Sequence, residues 1–212
     1  MMRYNNSSMS RKILPVLLII YLSFANMAMS SEVSQDNDIS STCVACHGQN
    51  GISSNPIWPN LAGQNPRYLK SQLQAFKKGP NGDRNNPVMY GIAQTLSDKD
   101  MDDLANYYAG LEKSIGTTQD KYLILGRNIY RGGILDIKIQ ACIACHGPNG
   151  LGNYAAGIPM LSGQHADYIY QQLKNFQSGV RSNDQNKMMR NIVHRMTDNE
   201  MRAVSHYIQG LY

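Results

Sequence analysis

CVACHG at residues 43–48 and CIACHG at residues 142–147 are one six-residue signature written twice, differing only in Val44 against Ile143. The repetition extends downstream. Setting 61–111 against 161–211 at an offset of one hundred, without a gap, gives sixteen identities in fifty-one positions. Average residue usage would give roughly three by chance. The identities include Leu61/Leu161, Gly63/Gly163, Gln64/Gln164, Tyr68/Tyr168, Gln72/Gln172, Leu73/Leu173, Phe76/Phe176, Gly79/Gly179, Met89/Met189, Met101/Met201 and Tyr107/Tyr207. The chain therefore carries a duplicated domain, and each copy filters accidental residues out of the other.

Both copies follow a helical plan. In RYLKSQLQAFKKG, Tyr68, Leu69, Leu73 and Phe76 share one face at helical spacing, and Gly79 stands where a C-terminal cap belongs. Tyr168, Ile169, Leu173, Phe176 and Gly179 repeat the arrangement. A last helix opens each time with a capping box, Ser97 with Asp100 and Thr197 with Glu200. Its inward stripe is Met101, Leu104, Ala105 and Tyr108, or Met201, Val204, Ser205 and Ile208. No run alternates apolar and polar residues as a strand would. An all-α fold of two tandem domains is expected, at 31–111 and 122–212, joined by the polar stretch EKSIGTTQDK at 112–121. Gly126, Tyr130 and Gly132-Gly133 should lie on a short helix and turn before the second signature.

Residues 1–30 stand apart. Arg3, Arg11 and Lys12 are their only charges, and the apolar run ILPVLLIIYLSF leads to the small residues around Ala28 and Ser30. This is the pattern of a secretory signal peptide, too short for a membrane span of roughly twenty residues, with an uncleaved anchor as the alternative. Removing it leaves 17 Lys+Arg against 15 Asp+Glu, so the +5 balance of the full chain falls to +2 and the argument for nucleic acid lapses. Residues 31–116 hold 7 basic and 9 acidic side chains, residues 117–212 hold 10 and 6, so the molecule should be a dipole with its acidic end in the first half.

Three chemistries compete for Cys-x-x-Cys-His: covalent haem, in which two thiols add to vinyl groups and the histidine binds iron, structural zinc, or a disulfide. Zinc needs four ligands, and each copy offers two cysteines and one shared histidine. A thioredoxin-like dithiol has no use for the histidine and would want strands between helices. All four cysteines of the chain lie in the two signatures. The pattern as a whole favours haem c, with Cys43, Cys46, Cys142 and Cys145 as the attachment sites and His47 and His146 on the iron.

Counting supplies the opposite axial ligand. His47 is the single histidine of the first copy, so a second histidine from that domain is excluded. Met89 and Met101 are the methionines that follow the first signature. Met101 belongs to the inward stripe and is read as core. Met89 sits in the loop-like stretch GPNGDRNNPVMYG, where a side chain can be aimed at a cofactor. The offset selects Met189 in the second copy, with its neighbour Met188 as the alternative. Met160 and Met196 face Asn60 and Leu96, and His165, His194 and His206 face Asn65, Gln94 and Asn106, so none is a repeated ligand. The three histidines are read as exposed polar residues.

With PNLAGQ and PMLSGQ, the Tyr-x-x-x-Gln-Leu-x-x-Phe-x-x-Gly helices and the late methionines, the chain resembles the dihaem cytochrome c4 family of bacterial periplasms over essentially its whole mature length. The resemblance implies two cytochrome c domains face to face, each with one covalent haem c. It implies Pro59 and Pro159 as carbonyls accepting the proximal imidazole N–H, and Tyr68, Tyr168, Gln72 and Gln172 around the haems or in helix packing. Two departures are visible: EVSQDNDISST lacks the usual Gly-Lys helix start, so a short or frayed first helix is expected, and Gln140 replaces a common proline.

His/Met ligation closes both axial positions and raises the reduction potential, which leaves electron transfer and no catalytic turnover. By resemblance the donor is a cytochrome bc1 complex, the acceptor a haem-copper terminal oxidase, the site of action the periplasm, with peripheral membrane association and a monomeric state. The alternatives are a dihaem enzyme such as a peroxidase or thiosulfate dehydrogenase, and a permanent cytochrome subunit of an oxidoreductase complex.

Overall fold

Four of the described helices begin where a side-chain oxygen accepts from the first turn. Asn65 accepts hydrogen bonds from the Arg67 and Tyr68 amides, at 2.9 and 3.3 Å, and so caps Pro66–Lys77. Pro66 sits at the helix start, where a missing N–H costs nothing. Ser97 and Thr197 cap Asp98–Ala109 and Asp198–Gln209, with both arms of each capping box formed as the sequence predicts. The expected stripes are buried: Met101 and Met201 are wholly enclosed, as are Leu104, Tyr108, Val204 and Ile208 to within a few percent.

The computed structural model describes residues 36–212, so the leader expected at 1–30 lies outside the described residues. In chain order the helices are α1 Asp36–His47, α2 Pro66–Lys77, α3 Pro87–Ala93, α4 Asp98–Ala109, α5 Asp120–Gly132, α6 Ile143–His146, α7 Ala166–Ser178, α8 Met188–Val193 and α9 Asp198–Gln209. Residues 36–212 form one compact unit. Among them the only strand-like pairings are isolated bridges, Arg84 with Arg181, Ile134 with Ile139 and Asn153 with Ile158. No helix among the described residues is long and apolar enough to cross a membrane.

Several local expectations are corrected. Helix α1 runs through the first signature, and of its 12 residues 36–42 precede Cys43. Helix α5 is long, at 13 residues, and its start takes Asp120 and Lys121 out of the expected linker. It ends at Gly133, whose φ of +74° a side chain would resist, and the second signature then occupies the separate four-residue helix α6. Gly79 and Gly179 both adopt the left-handed step expected of them, with Lys78 closing α2 and Gly179 itself closing α7.

The core of the second half packs α5, α7 and α9 through Ile129, Tyr130, Ile169, Leu173, Phe176, Val204 and Ile208. Each such side chain, fully enclosed, contributes about 1.5–3 kcal/mol. Gly126 permits the α5–α9 approach: a Cβ there would lie 2.3 Å from the Ala203 carbonyl oxygen. Residues between α4 and α5 lie along α9, where Gln209 Nε2 donates to the Thr117 carbonyl at 3.1 Å and a Cβ on Gly116 would strike the Gln209 backbone. Lys113 Nζ reaches Ser162 Oγ at 2.8 Å.

Two helical glycines then separate packing from propensity. Gly126→Ala should destabilise the haem-loaded protein by about 1–3 kcal/mol through overpacking. Gly91→Ala in α3, where nothing lies within 4 Å, should gain about 0.5–1 kcal/mol. Guanidinium unfolding curves of the two variants beside the native protein measure both effects.

Candidate functional site

The tight Cys-x-x-Cys-His turn places each signature histidine at the end of a helix, 7% exposed for His47 and 8% for His146. His47 Nδ1 lies 2.8 Å from the Pro59 carbonyl oxygen, and His146 Nδ1 lies 3.0 Å from that of Pro159. A carbonyl can only accept, so Nδ1 carries the proton and Nε2 keeps its lone pair. Burial, outweighing that hydrogen bond, holds both imidazoles below their ordinary pKa and therefore neutral. A neutral imidazole with a pinned Nδ1–H is a metal ligand prepared in advance.

All four cysteines are unpaired. Burial raises the Cys43 thiol and pushes Cys142 up to about 12. Both signatures face a continuous cavity of about 1160 Å³, shared by the two halves and walled largely by apolar side chains. That exceeds the roughly 300–1,000 Å³ of a usual single-ligand cleft.

Met89 and Met189 line the same cavity, each half-buried. They stand on short helices, α3 and α8, and not in loops as the sequence suggested. Asn86 opens α3 by accepting from the Met89 amide at 3.0 Å, so the side chain is aimed by a helix start. Met189 packs against the core of the second half, whereas its neighbour Met188 is 48% exposed. Met101 and Met196 are core, and Met160 contributes backbone to the meeting of the halves.

The feature that sequence comparison missed is a pair of buried arginines. Arg84 and Arg181 are 7% and 6% exposed and bridge each other across the two halves. Each guanidinium lies over the phenylalanine of its own half, Arg84 on Phe76 and Arg181 on Phe176. Each also donates to the tyrosine of the other half, Arg84 to Tyr168 at 2.8 Å and Arg181 to Tyr68 at 2.9 Å. Gln72 Oε1 accepts from both arginines and from Asn183, and Gln172 accepts from Arg181. Tyr68, Tyr168, Gln72 and Gln172 thus hold these arginines, beyond simple helix packing. The ungapped offset hid the pair, because Arg84 is set against Asp184 and Arg181 against Asn81.

Neither arginine forms an ion pair with a carboxylate among the described residues. Burial and the neighbouring Arg181 hold Arg84 below its ordinary pKa. Burial alone would raise the Tyr68 phenol, yet Arg181 and Arg84 outweigh it and hold it low. The field at this spot stabilises anions. Haem supplies carboxylates of its own, and the thiols, the prepared imidazoles, the methionines and this unneutralised cation pair all fit two such groups.

The halves are clamped by glutamines. Gln64 Oε1 accepts from the Met160 amide and Gln64 Nε2 donates to the Met160 carbonyl, both at 2.8 Å. Gln164 does the same to Asn60, both at 2.9 Å. His165 Nε2 lies 2.9 Å from the Ser53 carbonyl oxygen, and Asn65 Nδ2 donates to the Asn153 carbonyl at 3.0 Å, so these unlike residues perform one task in the two copies. His165 is therefore not the exposed polar residue expected. Neither is His206, which stacks on Tyr122 at 4.5 Å, whereas His194 is exposed.

Comparison with known proteins agrees in extent and in fold. The cytochrome c family model matches the chain twice, at residues 37–112 and 137–212. A cytochrome c4 from Thiocapsa roseopersicina is 45% identical over 170 residues, 80% of this chain and 86% of that protein. One from Azotobacter vinelandii is 38% identical over 205 residues, 93% and 98% of the two. The crystal structure of reduced recombinant cytochrome c4 from Pseudomonas stutzeri matches with a TM-score of 0.81 at 38% identity, covering 86% of this chain and 100% of that one.

Removing either buried cation should favour the more positive, oxidised iron. Arg84→Met or Arg181→Met is expected to lower a haem reduction potential by about 30–60 mV, up to a tenfold change in a one-electron equilibrium. Spectroelectrochemical titration of the haem-loaded variants reads the shift.

Proposed function

The chain belongs to the cytochrome c family as a doubled, c4-type member with two covalently bound haem c groups that transfers electrons and is not an enzyme, and from that premise we propose which residues do the work and where. Cys43 and Cys46 hold one haem and Cys142 and Cys145 the other. His47 and Met89 ligate the first iron, His146 and Met189 the second. Pro59 and Pro159 fix the histidine tautomers, and Arg84 and Arg181 neutralise haem carboxylates at the meeting of two domains, the first reaching 111 and the second opening with α5 at Asp120, linked by 112–119. When bound, each haem supplies one reversible electron. The observation that carries this reading is the double pairing of a neutral, pinned imidazole with an inward methionine around a shared cavity. Two filled axial positions leave no place for a substrate to coordinate, and a sulfur ligand raises the potential toward that of an acceptor high in a chain.

The proposed setting is the periplasm, reached through the signal peptide at 1–30. There the protein shuttles electrons in a respiratory chain, from a cytochrome bc1 complex to a haem-copper terminal oxidase, as a monomer associated peripherally with the membrane. The acidic first half and basic second half offer partners different charge at each end.

Carbon monoxide added to the reduced protein should leave its visible spectrum unchanged; stoichiometric binding at either iron would overturn closed His/Met ligation. Met89→His and Met189→His should each lower one haem's potential by roughly a few tenths of a volt, within the roughly 0.8 V that axial ligands span. Met188→Leu should move neither. For the partner reading, electron exchange with the isolated donor and acceptor complexes should slow as salt rises past the roughly 10 Å screening length at 0.1 M; rates indifferent to salt would refute charge-guided docking.

A further inference from the structure

The glutamine clamps do not grip arbitrary backbone. The amide N–H of Asn60 and the carbonyl of Pro59 belong to the same peptide group. That carbonyl receives His47 Nδ1–H at 2.8 Å, and that N–H is donated to Gln164 Oε1 of the other half at 2.9 Å. The second copy repeats the chain of bonds: His146 to the Pro159 carbonyl at 3.0 Å, and the Met160 N–H to Gln64 Oε1 at 2.8 Å. Asn60 is 6% exposed, and Gln64 and Gln164 are 5% and 7%, so the first arrangement is closed to water, while the second, through the half-buried Met160, is partly so.

We infer that Gln64 and Gln164 are crossed positioning residues, each setting the strength of the proximal histidine in the opposite domain and with it the potential of the opposite haem. The proposal rests on the reading that His47 and His146 are the proximal ligands. A peptide group whose N–H is donated becomes more polarised, and its carbonyl a stronger acceptor. A stronger pull on Nδ1–H gives the imidazole more imidazolate character and makes Nε2 a better donor to iron. A more basic ligand favours the ferric state and lowers the potential. Loss of Gln164 should therefore raise the potential of the haem on His47, and loss of Gln64 that of the haem on His146. The same geometry couples the redox properties of each domain to the closeness of its neighbour.

The test uses full-length, haem-loaded protein with Gln64→Met and Gln164→Met, which keep size but remove the acceptor, and Gln64→Glu and Gln164→Glu, which retain an accepting oxygen. Arg67→Ala serves as the control. It removes a contact between the halves, Arg67 Nη1 to the Ala155 carbonyl at 2.8 Å, without touching either proline peptide. Titration waves are assigned with the Met89→His and Met189→His variants, and the proximal Nδ1–H resonances are followed by proton NMR in the reduced state. The expected result is an upward shift confined mainly to the opposite haem in each Met variant, an upfield move of that haem's Nδ1–H signal, no upward shift in the Glu variants, and neither an upward shift nor a moved Nδ1–H signal with Arg67→Ala, which removes a cation lining the cavity. Equal shifts at both haems, a larger shift at the haem of the same domain, a shift with Arg67→Ala matching the glutamine variants, or unmoved potentials and resonances would overturn the inference. Absence of the methionine-to-ferric-iron charge-transfer band from the native protein would instead defeat the ligand reading beneath it.

Discussion

The hydrogen bond from each signature histidine to a proline carbonyl is the constraint around which the rest is arranged. It decides which ring nitrogen faces the cavity, and it can do so because a carbonyl accepts and never donates. Everything nearby serves that bond. The Cys-x-x-Cys-His turn brings the ring to a helix end, the left-handed glycines Gly48 and Gly147 let the chain leave at once, and the loop returns with the proline at contact distance. Leu61 and Leu161 then donate to the carbonyls of Gly51 and Gly150, both at 2.7 Å, and fix the returning strand of backbone.

Much of this was legible because the chain contains its own comparison. The capping boxes and the stripes through Met101 and Met201 follow from reading one copy on the other, and their physical basis is local: caps and helical periodicity involve residues three or four apart. What escaped was non-local. Arg84 and Arg181 do the same work from positions that differ by 97 in number, not one hundred, because each sits at its own point in a loop. Asn65 and His165 share a position and a role but not a residue type, and the difference in type concealed the role. Met89 looked like a loop residue because Asn86 and Pro87, which open its helix, are also turn formers.

Burying two guanidiniums side by side is expensive, several kcal/mol per ion before compensation. The fold meets that cost with neutral acceptors from both halves, two tyrosines and two glutamines, and with the faces of Phe76 and Phe176. Both arginines also line the shared cavity. A charge pair that repels across the contact would part the halves if nothing else joined them, and the crossed glutamine clamps supply that joint.

The contacts that join the halves all link residues far apart along the chain, such as Asn60 with Gln164 at a separation of 104 and Tyr68 with Arg181 at 113. Within each half the separations are smaller, 32 for Lys70 with Asp102 between α2 and α4 and 76 for Arg131 with Tyr207 between α5 and α9. Distant pairings carry the larger loop-closure entropy. The connection is tied to the second half as well, through Lys113 to Ser162 and Gln209 to Thr117. Two copies of one helical plan are thus held as a single body by pairs that the chain itself places some hundred residues apart.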